Sequence, residues 1–420
     1  MDMAIEGRVL KQIDNMKDEI VDTLREMVRI PTVNPPGDYR KLISFLKSTF
    51  DKEFLDVEII EVPADVLSEL EISMPKHNII AAHRGRKRRP SLYLNAHLDT
   101  VSAECIPGDL EKWSVPPFDG VVKNGRIWGR GACDSKGRLA SYIAAVVGLK
   151  RADARLDGDV CIAATADEET GLSAYTGAGY LAKIGKLQGD YAIVEGMCNE
   201  INYANPGNIR LRITTHGDSL HTSQLQPGGC NAIHSMNIVI SDLIQYQERL
   251  KQQPSSIPNM GFTVVNIGCI KGGLDANMTA ANCSIEVSIA TVPENDVEDV
   301  KATVKERILA LKKQHKDLDV DLEFGVTLPA CVSKKDSRLI RELQRASMEI
   351  NGENLEANGL TGYTDMQFFV KSGMEVANFG PGRIFESNLH LPDENIRIKD
   401  LINVSKIIAL GTLRLLGQKH

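Results

Sequence analysis

The stretch Leu92–Thr100, LYLNAHLDT, is the part of the sequence that decides how the rest is interpreted. An apolar run passes into His97 and, two positions later, Asp99. This pattern is typical of a buried strand that carries polar groups to the edge of a sheet. Residues i and i+2 of a strand share a face, so His97 could bind a metal ion while Asp99 orients its ring. Taken alone, the pair more often marks an ordinary polar strand end, so the metal hypothesis needs further ligands.

The composition indicates a globular protein with more than one domain. The chain is 42% hydrophobic and 25% charged, as is usual for globular proteins. Its length of 420 residues exceeds what one hydrophobic core usually serves. A net charge of −7 argues against a nucleic-acid partner, because such binding requires basic groups to neutralise phosphates. The eight cysteines are scattered without a C-x-x-C pair, as expected of reduced thiols. With no signal peptide and no apolar stretch of roughly 20 residues, we expect a cytoplasmic protein without a membrane partner.

The order of predicted strands and helices indicates an α/β fold with an insertion. Over residues 1–205, apolar strands alternate with helices and end in acidic residues, which predicts a mostly parallel sheet flanked by helices, with a site beyond the strand ends. The pattern changes near Pro206, and residues 206–325 read β-α-β-β-α-β, the ferredoxin-like plait. Residues 326–420 return to the first pattern. We therefore predict one domain in two parts, 1–205 and 326–420, interrupted by a second domain.

Further acids and a histidine occupy positions equivalent to that of His97. Asp134 precedes a helix, and it could instead be an ordinary N-cap. Three consecutive acids, including Glu168 and Glu169, follow the buried strand that ends near Thr165, where they would repel each other unless a cation offsets their charge. Two further candidates complete the set. Glu195 follows a predicted strand, and His390 lies in the C-terminal region.

This residue set suits a catalytic metal site. Carboxylate and imidazole ligands without a thiolate favour zinc, manganese or cobalt. Five ligands with one shared carboxylate would hold two ions roughly 3.5 to 4 Å apart, and a spare carboxylate would act as base. Water bound to such ions can have its pKa lowered to about 7, so that a hydroxide is available at neutral pH.

Four motifs carry a resemblance to a known family. They are NAHLDTV at 95–101, GRGACDSKG at 129–137, DEETG at 167–171, and the segment from GPG at 380–382 to His390. Their order and spacing resemble the aminoacylase, acetylornithine deacetylase, succinyl-diaminopimelate desuccinylase and glutamate carboxypeptidase family of dinuclear metallohydrolases. The resemblance covers nearly the whole chain. It implies a zinc-exopeptidase-like catalytic domain with an inserted lid and dimerisation domain.

The resemblance also implies a role for each site residue. Asp134 would bridge both metals through its carboxylate, and Glu168 would be the general base and acid. Asp99 would orient the imidazole of His97, and the Asp134–Ser135 peptide bond would be cis. The remaining metal ligands would be His97 and Glu195 at one site and Glu169 and His390 at the other.

The inserted domain resembles a lid that carries substrate-binding residues. The segment from Gly217 to Ala232 is similar to one that supplies a histidine to the neighbouring subunit, so His221 would donate to the oxyanion in trans. The alternative is an ordinary surface histidine. Asn277, after Gly272-Gly273, resembles a lid residue that contacts substrate.

Two departures from the family pattern bear on the substrate and on the third acid. The lid strand that commonly carries a carboxylate-binding arginine reads SIEVS at 284–288, so that clamp is missing there. Arg383, beside Gly382, could contact substrate instead, although a structural role in the loop is an equal alternative. Glu195 is followed by glycine rather than proline, which leaves two replacements open: Asp190 and Glu200.

We therefore expect a homodimeric two-metal hydrolase that cleaves a C–N bond of a small molecule. An amide is the expected substrate and zinc the expected metal, with manganese and cobalt as alternatives. Because the lid arginine is missing, hydrolytic deamination of an aromatic amine is a second hypothesis. A metal-binding protein without turnover is a third, against which the unliganded Glu168 argues.

Overall fold

The computed structural model describes residues 3–221, 223 and 229–418. The chain divides into two compact units. The larger unit comprises Met1–Tyr203, Ser333–Ala357 and Thr364–His420, and the smaller comprises Ala204–Val332 and Asn358–Tyr363.

The described residues form helices and strands in the following order along the chain. The helices are α1 Met3–Asn15, α2 Lys17–Val28, α3 Arg40–Lys52, α4 Ala64–Glu69, α5 Lys136–Arg151, α6 Ser173–Thr176, α7 Ala178–Lys183, α8 Ala232–Leu250, α9 Val297–Gln314, α10 Arg338–Asn351, α11 Met366–Lys371 and α12 Ile398–Leu416. The strands are β1 Asp56–Glu61, β2 His77–His83, β3 Arg88–His97, β4 Val121–Lys123, β5 Arg126–Trp128, β6 Gly158–Thr165, β7 Tyr191–Val194, β8 Ile201–Asn205, β9 Gly207–His216, β10 Val264–Gly272, β11 Asn282–Thr291, β12 Asp319–Leu328, β13 Cys331–Val332, β14 Ala357–Gly359, β15 Glu375–Asn378 and β16 Asn395–Arg397. Within these described ranges, no helix is both long and apolar enough to span a bilayer.

The larger unit is built on a mixed sheet in the order β1-β2-β6-β3-β7-β15-β8. Its four central strands, β6, β3, β7 and β15, are parallel, and the outer strands are antiparallel. In the register of these strands, His97 lies opposite Thr165, and Asn95 lies opposite Val194. Because parallel strands end at the same edge, the segments that follow His97, Thr165 and Val194 meet there. The α/β fold with a sheet flanked by helices is confirmed.

Helices cover the sheet and bury long apolar runs. Every residue of α5 from Lys136 to Leu149 is buried, and α12 packs on α5 and α10. The sequence predicts one N-terminal helix over residues 9–29, but the structure has two, α1 and α2, separated at Met16. The apolar period runs through both because Ile13, Met16 and Ile20 are all buried. Periodicity records which face is buried and does not register a one-residue interruption of the helix.

A small antiparallel sheet, β4-β5-β16, brings the C-terminal region to the start of α5. Asn395 pairs with Trp128 in this sheet, and the Gly129 amide donates to the Glu394 carbonyl at 2.8 Å. The loop that contains His390 immediately precedes β16, so it is held near the segment that leads to Asp134.

The smaller unit has a four-stranded antiparallel sheet in the order β10-β11-β9-β12. With α8 after β9 and α9 after β11, this is the β-α-β-β-α-β order of the ferredoxin-like plait. Both helices contribute to its apolar core, as Val239 and Val304 illustrate. Asn231 caps α8 by accepting the amide of Ile233. The roles of the smaller unit as a lid and in dimerisation remain predictions.

A buried ion pair lies behind the acidic segment that follows β6. The Lys76 ammonium lies 2.8 Å from the Asp167 carboxylate, and their side chains are 2% and 0% exposed. The same carboxylate accepts hydrogen bonds from Asn34, Tyr39 and Thr176. Removing one partner of such a pair leaves an uncompensated buried charge, which is far more costly than the loss of an exposed pair.

We predict that Lys76→Met destabilises the larger unit by about 3 to 5 kcal/mol, because Asp167 would remain buried without its cation. Trp113 and Trp128 are the two tryptophans of the chain, and both lie in the larger unit. Urea unfolding followed by tryptophan fluorescence therefore measures this effect.

Lys87→Met is the matched control, since Lys87 is 57% exposed in its ion pair with Asp157 and exposed pairs contribute about 1 kcal/mol or less. Equal losses of stability in the two variants would contradict the importance assigned to the buried pair.

Candidate metal centre

His97 ends β3 and points its Nε2 atom toward other candidate ligands. The ring is 2% exposed. Its Nδ1 lies 2.9 Å from the Asp99 carbonyl oxygen and 3.3 Å from the Asp99 carboxylate. Its Nε2 lies 3.1 Å from Asp134 Oδ1 and 3.7 Å from Glu195 Oε2. Acceptors therefore face both ring nitrogens, and those on the Nδ1 side orient the ring so that Nε2 is the nitrogen that would bind a metal ion.

Asp99 also holds the turn that carries the two glutamates. Its Oδ1 accepts the amide of Glu168 at 3.2 Å, and its Oδ2 accepts the amide of Glu169 at 3.2 Å. Asn34 Nδ2 donates to the same carboxylate at 2.9 Å and to Asp167 at 2.8 Å. One buried carboxylate thus fixes the imidazole and the glutamate segment relative to each other.

Asp134 lies between the two histidines. Its Oδ1 faces His97, and its Oδ2 lies 3.5 Å from His390 Nε2. The N-cap alternative is wrong, because α5 begins at Lys136 and the capping position belongs to Ser135, whose side chain makes no capping bond. The Asp134–Ser135 peptide bond is cis, as the resemblance implies. Burial would raise the pKa of Asp134, but Arg138 and the two histidines outweigh it and hold the pKa well below its usual value.

Glu169 and His390 meet on the other side of Asp134. His390 Nε2 lies 3.1 Å from Glu169 Oε2. The other oxygen, Glu169 Oε1, is buried and has no hydrogen-bond partner among the described residues. The pKa of His390 is raised to about 10 by the hydrogen bonds of its ring to Asp134 and Glu169. A buried carboxylate oxygen without a donor, beside an imidazole and a second carboxylate, is what a metal site requires.

Glu195 and Glu168 form a cluster on the His97 side. Ser135 Oγ donates to Glu195 Oε2 at 3.0 Å. Candidate ligand atoms of His97, Glu168 and Glu195 all lie within 4.8 Å of one another, and so do those of His97, Asp134 and Glu169. Burial, followed by neighbouring carboxylates, raises the pKa of Glu168 and Glu195. The donor set is one that zinc, manganese and cobalt accept, so the residues fit divalent cations.

The replacements considered for Glu195 lie elsewhere. Asp190 binds the Ser91 amide at 2.8 Å, before the start of β7. Glu200 belongs to neither of the two clusters of candidate ligands in the described part of the chain. The structure therefore brings Glu195, and neither replacement, into contact with His97.

The predicted substrate contacts of the larger unit have structural partners. Arg383 Nε donates to the Asp400 carboxylate at 3.0 Å, which favours the structural alternative for this arginine. At Gly382, φ is +112° and a Cβ would lie 2.3 Å from Cys133 Sγ. Glycine is required there by close packing, whatever else the loop does.

The predicted lid residues lie in the smaller unit. His221 Nδ1 lies 2.8 Å from Ser223 Oγ, and His221 bridges to Met278. Asn277 is exposed in the turn before it. The segment quoted for the resemblance includes Thr222 and residues 224–228, which lie outside the described residues. The contributions of His221 and Asn277 remain predictions.

Two buried acids that support the centre were not recognised in the sequence. Glu394 is fully buried, and its carboxylate accepts the amides of Gly131, Cys133 and Asp134, each at 2.9 Å. Asp365 accepts from Ser173 at 2.8 Å, and its Oδ1 has no partner in the described chain. For Glu394, the sequence offered one signal of a role near the centre, which is that it follows His390 by four residues. The partners that define their roles are remote in sequence.

Paired carboxylates and imidazoles at the carboxyl edge of this sheet define a metal-dependent hydrolase site, and comparison with known proteins agrees. The chain belongs to Peptidase family M20/M25/M40, which it matches over residues 93–411. It is therefore a metal-dependent hydrolase that acts on C–N bonds.

Three relatives illustrate the range of this similarity. A probable succinyl-diaminopimelate desuccinylase of Staphylococcus epidermidis is 26% identical, with 82% of this chain and 89% of the relative covered. An N-formyl-4-amino-5-aminomethyl-2-methylpyrimidine deformylase of Halalkalibacterium halodurans is 23% identical over 97% of this chain and 96% of the relative. The Bacillus subtilis YXEP protein, whose structure is that of a dinuclear metal binding peptidase, shares the fold with a TM-score of 0.65, at 16% identity and with 96% and 99% of the two chains covered.

We predict that Asp365 makes the metal-free protein less stable as pH rises from about 4 to about 8. Burial, followed by the charge of Glu195, raises the pKa of Asp365 from 3.8 to about 8. In this window the folded protein binds a proton that the unfolded chain has released, so the free energy of unfolding falls with increasing pH. Asp365→Asn stays neutral, and its stability relative to the wild type should rise across the window.

Urea unfolding in the presence of a chelator, at several pH values from 4.5 to 8.5, measures this difference. Asp336→Asn, at an exposed position, is the control and should show a constant difference from the wild type. A constant difference for Asp365→Asn as well would refute the assignment.

Proposed function

We propose that the protein hydrolyses an amide bond in a small molecule, using two divalent ions and Glu168 as general base. The observation that carries the proposal is the convergence of two histidines and three acids on one edge of the sheet, with Glu168 within 4.8 Å of His97 and Glu195. Asp134, which faces both histidines, is the proposed bridging ligand. His97 and Glu195 complete one site, and Glu169 and His390 complete the other.

When bound, the two ions lower the pKa of a coordinated water to about 7 and polarise the scissile carbonyl. The side chains supply the remaining steps. Glu168 accepts the proton of the attacking water and donates it to the leaving nitrogen. Burial, followed by the charge of Glu195, raises the pKa of Glu168, and this is the direction that a general acid and base at neutral pH requires. Asp99 keeps the base and the ligands in position through its bonds to the glutamate amides.

The lid strand supports a substrate without a clamped carboxylate. In β11, Glu286 occupies the centre of the SIEVS segment and pairs with Arg212 of β9 at 2.7 Å, so the nearby arginine is already engaged by an acid. Because the carboxylate-binding arginine of the family pattern is missing here, the proposed substrate is a formamide or another neutral acyl amide rather than an acyl amino acid. The deformylase among the relatives acts, by its name, on such a formamide.

A homodimer formed through the smaller unit and a cytoplasmic location are part of the same proposal. In a dimer, His221 would donate to the oxyanion of the neighbouring subunit. The eight cysteines are all free, as expected in a reducing compartment. Zinc is the proposed metal because it accepts both imidazole and carboxylate ligands.

We predict that Glu168→Gln lowers kcat by about a hundredfold to ten-thousandfold while the metal content stays unchanged, because the amide can neither accept nor return the proton. Steady-state kinetics on a formamide, combined with metal analysis of the same preparation, test this outcome. Glu375→Gln is the control. Glu375 is the first residue of β15, at the end of the strand remote from the centre, and it forms an ion pair with the exposed Lys334. Full activity in Glu168→Gln would remove Glu168 from the mechanism.

The products distinguish amide hydrolysis from deamination. We expect a panel of acyl amides to release a carboxylate and a free amine, measured by mass spectrometry, with no ammonia formed from aromatic amines. Ammonia release from an aromatic amine, without cleavage of any amide, would replace the proposed reaction by deamination on the same residues.

A further inference from the structure

A buried arginine lies directly on the carboxylate assigned as the bridging ligand. Arg138 is in the first turn of α5, four residues after Asp134, and is 3% exposed. Its Nη1 donates to Asp134 Oδ1. Its Nε donates to the Gly196 carbonyl at 3.1 Å, and its Nη2 lies 4.0 Å from Met197 Sδ.

The Arg138 guanidinium is held by two partners, the Asp134 carboxylate and the Gly196 carbonyl. Its second partner, Gly196, follows Glu195 and packs so closely on the end of β15 that a Cβ there would lie 2.6 Å from the amide nitrogen of Phe379, the next residue. The Gly196 carbonyl therefore has little freedom, and Arg138 cannot move away from Asp134 without losing that bond. The departure from the family pattern at Gly196 and the arginine at position 138 are thus parts of one contact.

The cation remains charged at this position. An arginine guanidinium stays protonated in proteins. A guanidinium sheds water more easily than an ammonium and binds carboxylates strongly, which makes it a stable buried partner. Asp134 Oδ1 is consequently shared between an internal cation and His97.

We propose that Arg138 is an internal cation that holds Asp134 in the metal-free protein and lowers the affinity of the centre for divalent ions. This inference rests on the proposed two-metal function. The physical reason is that an ion bound to Asp134 meets a fixed positive charge on the same oxygen, and like charges repel strongly where water is excluded. The guanidinium also offsets the repulsion among the acids while no ion is bound. Arg138 is therefore a positioning residue, and metal affinity reports its role directly.

The test compares metal binding in Arg138→Met, Arg138→Lys and the wild type. Arg138→Met keeps an apolar stem of similar reach but removes the charge, so we expect Zn²⁺ and Mn²⁺ to bind at least tenfold more tightly. The metal-free variant should melt at a lower temperature than the metal-free wild type, and the rise in Tm on adding metal should be larger. Arg138→Lys keeps the charge and should bind within about threefold of the wild type.

Chelator-competition titrations give the affinities, and circular dichroism gives the melting temperatures. Arg155→Met removes one exposed positive charge and controls for net charge, so its affinity should equal that of the wild type. If Arg138→Met does not fold without metal, Arg138→Gln replaces it, since the amide can still donate to Gly196.

Unchanged or weaker metal binding by folded Arg138→Met would overturn the inference and leave the proposed hydrolysis untouched. Equal tightening in Arg138→Met and Arg138→Lys would also overturn it, because charge would then not be the cause. A wild-type protein that binds neither ion would overturn the two-metal function and this inference together.

Discussion

The centre depends on the hydrogen bonds made by the Asp99 carboxylate. This one group receives the amides of Glu168 and Glu169, the side-chain amide of Asn34 and the ring of His97. Burial would raise the pKa of Asp99, but the bonds from His97 and Asn34 outweigh it and hold the pKa below its usual value. An ionised acceptor makes stronger hydrogen bonds than a neutral one. Asp99 therefore fixes the positions of both His97, a proposed ligand, and Glu168, the proposed general base.

The second constraint on the centre is the repulsion among its acids. Asp134 stays ionised because Arg138 and the histidines face it. Burial, followed by the charge of Asp134, instead raises the pKa of Glu195 and Glu169. A raised pKa means that these carboxylates hold protons more tightly than free ones, and metal binding requires them to be deprotonated. The proposed role of Arg138 concerns the same balance of charge, because its guanidinium faces the Asp134 carboxylate.

Much of the fold could be predicted from periodicity and strand-end chemistry. The apolar run that ends at His97 and the buried run of β6 identify central strands, and the change of pattern after Pro206 identifies the inserted plait. Details set by local hydrogen bonding were missed, such as the break between α1 and α2 at Met16. The basic run from Arg84 to Pro90 shows the same limit, because the sequence leaves open whether it is a solvated hairpin turn or a patch that binds an anion or a partner. Its side chains pair with remote acids that include Asp157 and Asp159, and no local pattern indicates those partners.

The sequence by itself determined the chemical types and the order of the site residues, because each lies at a strand end, before a helix or in a loop within its own motif. It thereby determined the family and the class of reaction. Only the tertiary structure decided that Glu394 holds the loop before Asp134, that Asp365 is buried without a full set of donors, and that Arg138 lies on the Asp134 carboxylate. The physical reason is that a motif specifies which groups a segment presents. Burial, charge balance and hydrogen-bond partners arise only when segments remote in sequence pack together.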